Sequence, residues 1–133
     1  MVERGVAPFT AFIGAEVEEL REGYARLSLV LEERHTNPNG VMHGGVITTL
    51  MDSALGASLS ALRGQEARRN PHATVEMNAS FLAAARPGDR IVVEGRVLRL
   101  GKTVAFGEAE ARRGDGELIA KGRLTFAIRN RSE

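Results

Sequence analysis

The chain has 133 residues, no cysteine, and a formal net charge of +1 from 18 basic and 17 acidic side chains. That length supports one hydrophobic core rather than two, and without thiols there is no disulfide framework, thiolate nucleophile or thiolate metal site. Near-neutral charge, one tyrosine and no tryptophan offer neither the basic footprint nor the stacking platforms of a nucleic-acid binder.

The opening "MVERGVAPFTAF" has charged residues where a signal peptide would be apolar, so a cytoplasmic location is expected. A short helix is predicted after Pro8, then a first strand over Glu16 to Arg21. After the turn "REG", the stretch "YARLSLVLE" at Tyr24 to Glu32 places Ala25, Leu27, Leu29 and Leu31 on one face, the period of a half-buried strand. "HTNPNGVM", His35 to Met42, concentrates Asn, Pro and Gly and reads as a loop.

Gly44 to Leu62 lacks strand alternation and predicts one helix of roughly 28 Å. Its large apolar residues Val46, Ile47, Leu50, Met51, Leu55, Leu59 and Leu62 surround the axis, so the helix is expected to be buried on most sides. The run from Val41 to Leu62 approaches the length of a membrane span. Its Gly, Ser, Thr and Asp content favours a buried helix instead, and no membrane partner is expected. "RGQEARRNP" follows as a charged loop. Four more strands are predicted at His72 to Ala83, Arg90 to Leu100, Thr103 to Arg113 and Glu117 to Ile128, with "RPGD", "LGK" and "GDG" supplying the turns.

These elements predict an α+β fold in which an antiparallel sheet wraps a single long helix, in one domain spanning residues 1–133. One sheet face covers one side of a helix. The remaining apolar surface therefore calls for an extended N-terminus or a second copy of the chain, and a homo-oligomer is expected.

Asp52 is the only ionisable residue between Gly44 and Leu62. A lone helical aspartate either caps or pairs with an arginine nearby, or serves chemistry. Asn37, inside "NPNG", serves equally well as turn chemistry or as a hydrogen-bonding group of a site. "GKT" at Gly101 to Thr103 lacks the glycine spacing of a phosphate-binding loop and lies between strands. His35, His43 and His72 show no metal-ligand spacing, so neither a metal nor a cofactor is predicted.

"HTNPNGVMHGGVITTLMDSALG" followed by "ATVEMNASFLAAARPGD" resembles the hotdog-fold acyl-CoA thioesterases of the phenylacetate-pathway (PaaI-like) type. The resemblance rests on Asn37, on His43 with Gly44 and Gly45, on Asp52 nine residues after the histidine, and on Thr74 in the next strand. It implies a hotdog fold in homodimers or homotetramers, with active sites at the dimer interface. It also implies hydrolysis of an acyl-CoA, with aromatic or medium-chain acyl groups expected. Asp52 becomes the general base or nucleophile, the Gly44 amide the oxyanion donor, Asn37 a hydrogen-bond donor to thioester or water, and Thr74 the group that holds the water or orients Asp52.

His43 and Gly45 are expected to shape the substrate loop. Arg86, Arg99 and Lys102, at turns and strand ends, are candidates for the coenzyme A phosphates. Met51, Leu55, Leu59 and Phe81 are expected to set pocket depth. Eight helical residues put about 12 Å of rise between Gly44 and Asp52, beyond a side chain's reach, so a site using both draws them from two chains. The competing function is a non-hydrolytic protein that binds or senses acyl-CoA, since this fold serves both.

Overall fold

The computed structural model describes residues 7–129. In chain order these form α1 (Pro8–Phe12), β1 (Glu16–Arg21), β2 (Tyr24–Val30), a 3-10 turn at Glu33–His35, α2 (Gly44–Arg63), α3 (Glu66–Arg69), β3 (His72–Phe81), β4 (Arg90–Leu100), β5 (Val104–Arg113) and β6 (Leu118–Ile128). The six strands make one sheet in the order β1-β2-β4-β5-β6-β3, antiparallel at every pairing. The α+β prediction therefore holds. The loop expected at Arg63 to Pro71 contains the single helical turn α3.

The alternation in β2 places Ala25, Leu27 and Leu29 in the core, with Leu31 just beyond the strand; all four are almost completely excluded from solvent. They meet Ile47, Leu50, Met51, Ala54, Leu55 and Leu59 of α2, while β4 to β6 add Ile91, Val93, Ala109, Leu124 and Phe126. The sheet curves closely around α2 because its middle strands carry glycine at the contact. A Cβ at Gly95 would lie 3.1 Å from the Ala54 carbonyl carbon and from the Leu55 amide nitrogen. Glycine allows that approach without displacing the helix backbone, which would have to give by a few tenths of an ångström to admit a Cβ.

Two expectations change here. The sequence predicts a helix apolar and buried on most sides. In the structure its large residues share the sheet-facing side, and the uncovered stripe is small and polar: Gly45, Thr49, Asp52, Ser53, Gly56 and Ser60. Met51, Leu55 and Leu59 also lie inside this chain's own core, so of the four residues expected to set pocket depth only Phe81 is exposed to do so. Open apolar surface lies instead at the rim of the sheet. Val75 and Phe81 of β3, and Leu82 just after it, are exposed on a strand that pairs only with β6.

Candidate active site

β3 carries a bulge. Thr74 pairs with Phe126 and Glu76 with Thr125, which leaves Val75 as the extra residue. Side chains alternate along a strand, so Thr74 and Met77, three apart, would otherwise face opposite sides. The bulge absorbs one residue and brings both to the helix side. Thr74 Oγ1 accordingly donates a 2.5 Å hydrogen bond to Asp52 Oδ1, while Met77 and Ala79 pack on the core.

Asp52 and Thr74 share a cleft of about 490 Å³ with Ser53, Gly56, Ala57, Ser60, His72, Phe126 and Ala7. Asp52 is half-buried and forms no ion pair among the described residues. This disposes of the arginine-pair alternative. Its Oδ2 has no hydrogen-bond partner among those residues, so one carboxylate oxygen is held by Thr74 and the other is available. Beside it, the Ser53 hydroxyl meets the buried Thr10 hydroxyl, which fastens α1 next to this cleft.

The start of α2 is built by His43. Its extended backbone (φ −67°, ψ 134°) makes it the N-cap, and its Nδ1 accepts from the Gly45 amide at 2.8 Å. The Gly45 amide is thereby occupied, and a Cβ on Gly45 would lie 3.0 Å from His43 Nδ1. The carbonyl of His43 accepts from the Val46 amide at 3.0 Å. Among the described residues the Gly44 amide has no partner. It is an unpaired donor at the positive end of a 20-residue helix.

Gly44 lines a second cleft, of about 470 Å³, with Asn37, Val41, Ile47, Phe81 and Ala85. The Phe81 ring lies over Gly44, 3.3 Å from where a Cβ would be. Asn37 does both things the sequence left open. Its Oδ1 closes the turn by accepting from the amides of Asn39 (2.9 Å) and Val41 (3.4 Å), which leaves its side-chain NH2 as a donor at the cleft.

The nine site residues predicted from sequence therefore fall into groups. Asp52 and Thr74 meet in one cleft; Asn37 and Gly44 meet in the other, with His43 and Gly45 forming the cap between loop and helix. The two clefts share no residue. Arg86 is exposed next to Ala85 of the Gly44 cleft, with its backbone amide held by Asp89. Arg99 sits exposed at the β4 bulge, and Lys102 lines a separate groove with Arg63, Glu66 and Asn70. Sequence reading passed over His72, Ser53, Gly56 and Ser60 as cleft residues. Positions 52, 53, 56 and 60 recur at helical spacing with small or polar side chains, which is the signal that marks that face.

A curved antiparallel sheet around one helix, with a carboxylate held on the helix and an open amide at its first turn, defines a hotdog-fold protein with the groups for acyl-transfer chemistry. The chain belongs to the thioesterase superfamily, whose family model matches residues 39–120. It is 40% identical over 101 residues to acyl-coenzyme A thioesterase 13 of Mus musculus, covering 75% of this chain and 69% of that protein. The conserved protein PA5202 from Pseudomonas aeruginosa superposes with a TM-score of 0.85 at 31% identity, covering 94% of this chain and 96% of the other. The PaaI protein of E. coli, from the phenylacetic acid degradation operon, shares the fold with a TM-score of 0.83 at 17% identity, over 92% of this chain and 84% of its own. The resemblance to hotdog-fold acyl-CoA thioesterases read from the sequence is upheld at the level of the superfamily.

Proposed function

We propose that this thioesterase hydrolyses acyl-CoA, with aromatic or medium-chain acyl groups as its substrates, at a site formed by two copies of the chain in the cytoplasm. The observation that carries this reading is the division of the groups: a Thr74-held carboxylate in one cleft, an unpaired Gly44 amide in another. Both clefts adjoin β3, Thr74 near its start and Phe81 at its end. A two-fold axis through the middle of that strand's open edge brings the start of one β3 to the end of the other. The Asp52–Thr74 pair of one protomer then meets Gly44, Asn37 and Phe81 of its partner.

In this site Asp52 Oδ2 acts as the general base. It takes a proton from water, whose oxygen attacks the thioester carbonyl, and the resulting oxyanion is held by the Gly44 N–H at the helix start. Collapse of the intermediate breaks the carbon–sulfur bond. The proton held by Asp52 passes to the departing thiolate, giving free acid and CoA. Asn37 NH2 donates to the thioester or the water, and the exposed Arg86, next in sequence to Ala85 of the Gly44 cleft, supplies a cation for a coenzyme A phosphate.

The test is release of free thiol from a panel of aromatic and medium-chain acyl-CoA compounds. Wild type turns over members of the panel, and Asp52→Asn lowers turnover by roughly 100-fold or more, the scale of losing a general base. Binding of acyl-CoA without thiol release by wild type would establish the sensor reading instead.

A further inference from the structure

His72 opens β3 and lines the same cleft as Asp52 and Thr74. Its ring is half-buried, edge-on to Phe126 at 5.5 Å and 90°. Arg63 Nη1 lies 2.8 Å from His72 Nδ1, and His72 Nε2 lies 3.4 Å from the Gly56 carbonyl oxygen. A guanidinium only donates and a carbonyl only accepts. Nδ1 is therefore the bare nitrogen and Nε2 carries the proton, which makes the ring neutral. Arg63 also donates from Nη2 to the carbonyls of Asn70 (2.5 Å) and Glu66 (3.4 Å), tying the end of α2 to α3 and to the chain entering β3.

Two rungs now join β3 to α2, Thr74 to Asp52 and His72 to Gly56. Two residues along a strand advance about 6.6 Å, and four along a helix about 6 Å, so the rungs are in step. An imidazolium can accept no hydrogen bond from Arg63 and repels it, so protonation breaks the Arg63–His72 tie that holds the start of β3 to the end of α2, leaving only the Nε2–H donation to Gly56.

We propose that His72 is a positioning residue: its neutral ring latches the start of β3 to α2 and keeps Thr74 on Asp52, and protonation releases the latch and slows turnover. The proposal rests on the thioesterase reading above. Burial, first, and the charge of Arg63 push the imidazole below its ordinary value, against the Gly56 carbonyl, which raises it. The folded chain thus holds this proton less tightly than the unfolded chain. The stability contributed is complete above the ordinary histidine value and is lost as pH falls from there through the folded value. The charged groups on the elements packed against His72 include Arg63, at hydrogen-bond distance, and Asp52 of α2, Glu66 of α3, Lys102 in the groove beyond Arg63, and Arg129 just after β6, whose amide bonds the Pro71 carbonyl; β6 itself presents Phe126 and Ile128. The Glu66 carboxylate is engaged by Asn70 at 2.7 Å and Arg69 at 3.7 Å.

The experiment compares pH profiles of thiol release for wild type, His72→Asn and His72→Phe. Asparagine offers an oxygen in place of Nδ1 and does not titrate; phenylalanine keeps the ring and loses both bonds. At pH 8, His72→Asn retains kcat within about three-fold, and His72→Phe loses roughly ten-fold or more in kcat with KM little changed. Towards acid, wild type loses turnover through a step below about 6.5 that His72→Asn lacks. Superimposable acid limbs for wild type and His72→Asn, or wild-type kcat in a folded His72→Phe, overturn the proposal. If wild type releases no thiol from any substrate, the hydrolase reading fails, and the latch is decided by thermal midpoint. Wild type must then lose stability below about pH 6.5 relative to His72→Asn, and equal pH dependence refutes it.

Discussion

Gly44 has two properties that pull apart under one substitution. Its amide, unpaired among the described residues, is the oxyanion donor of the proposed site, and it occupies the first position of α2. Proline is well tolerated at that position because its missing N–H is not part of the helix ladder. The preceding residue, His43, already has the extended backbone that proline demands of its neighbour. Gly44→Pro therefore deletes the donor and spares the helix, with the exposed Phe81 ring free to give way. The expected outcome is a kcat loss of roughly 100- to 1000-fold with unchanged helical circular dichroism, the range found for removing an oxyanion donor. Retained turnover in a folded Gly44→Pro protein would remove this amide from the site.

At the scale of elements, β3 and α2 are positioned by two backbone devices. The bulge at Val75 turns Thr74 towards Asp52, and the close approach at Gly95 seats α2 in the sheet. Added atoms at Gly95 meet helix backbone, which cannot step aside as a flexible side chain can. Gly95→Val is expected to cost about 1–3 kcal/mol through overpacking, seen as a fall of several degrees in Tm. Turnover should fall with it, because the helix carrying Asp52 must shift. An unchanged Tm would show that the sheet does not constrain α2 at this point.

For the whole molecule the decisive quantity is how many chains one site requires. In a mixed dimer of Asp52→Asn with Gly44→Pro, one shared site has lost both groups and the other has lost neither. Mixed dimers are expected to regain roughly half the turnover of wild-type dimers, while each pure variant stays inactive. Sites confined to single chains would regain nothing. The exposed Val75 and Phe81 on the unpaired edge of β3 supply the surface that such pairing covers.

The elements and the residue types of the site were legible in the sequence because both are local. Leucines at every second position made β2, "GDG" and "RPGD" ended strands, and the span from Gly44 had too few breaks for anything but a helix. The motif residues Asn37, His43, Gly44, Asp52 and Thr74 carried the family resemblance, and helical rise alone separated Gly44 from Asp52. What no local pattern encodes is pairing at a distance. The placement of β3 at the far edge, the bulge that aims Thr74, and the Arg63–His72 contact each join segments brought together only when the sheet closes on α2. The same closure decided which face of the helix stayed open: the sheet took its large residues and left Asp52 on a small, polar stripe.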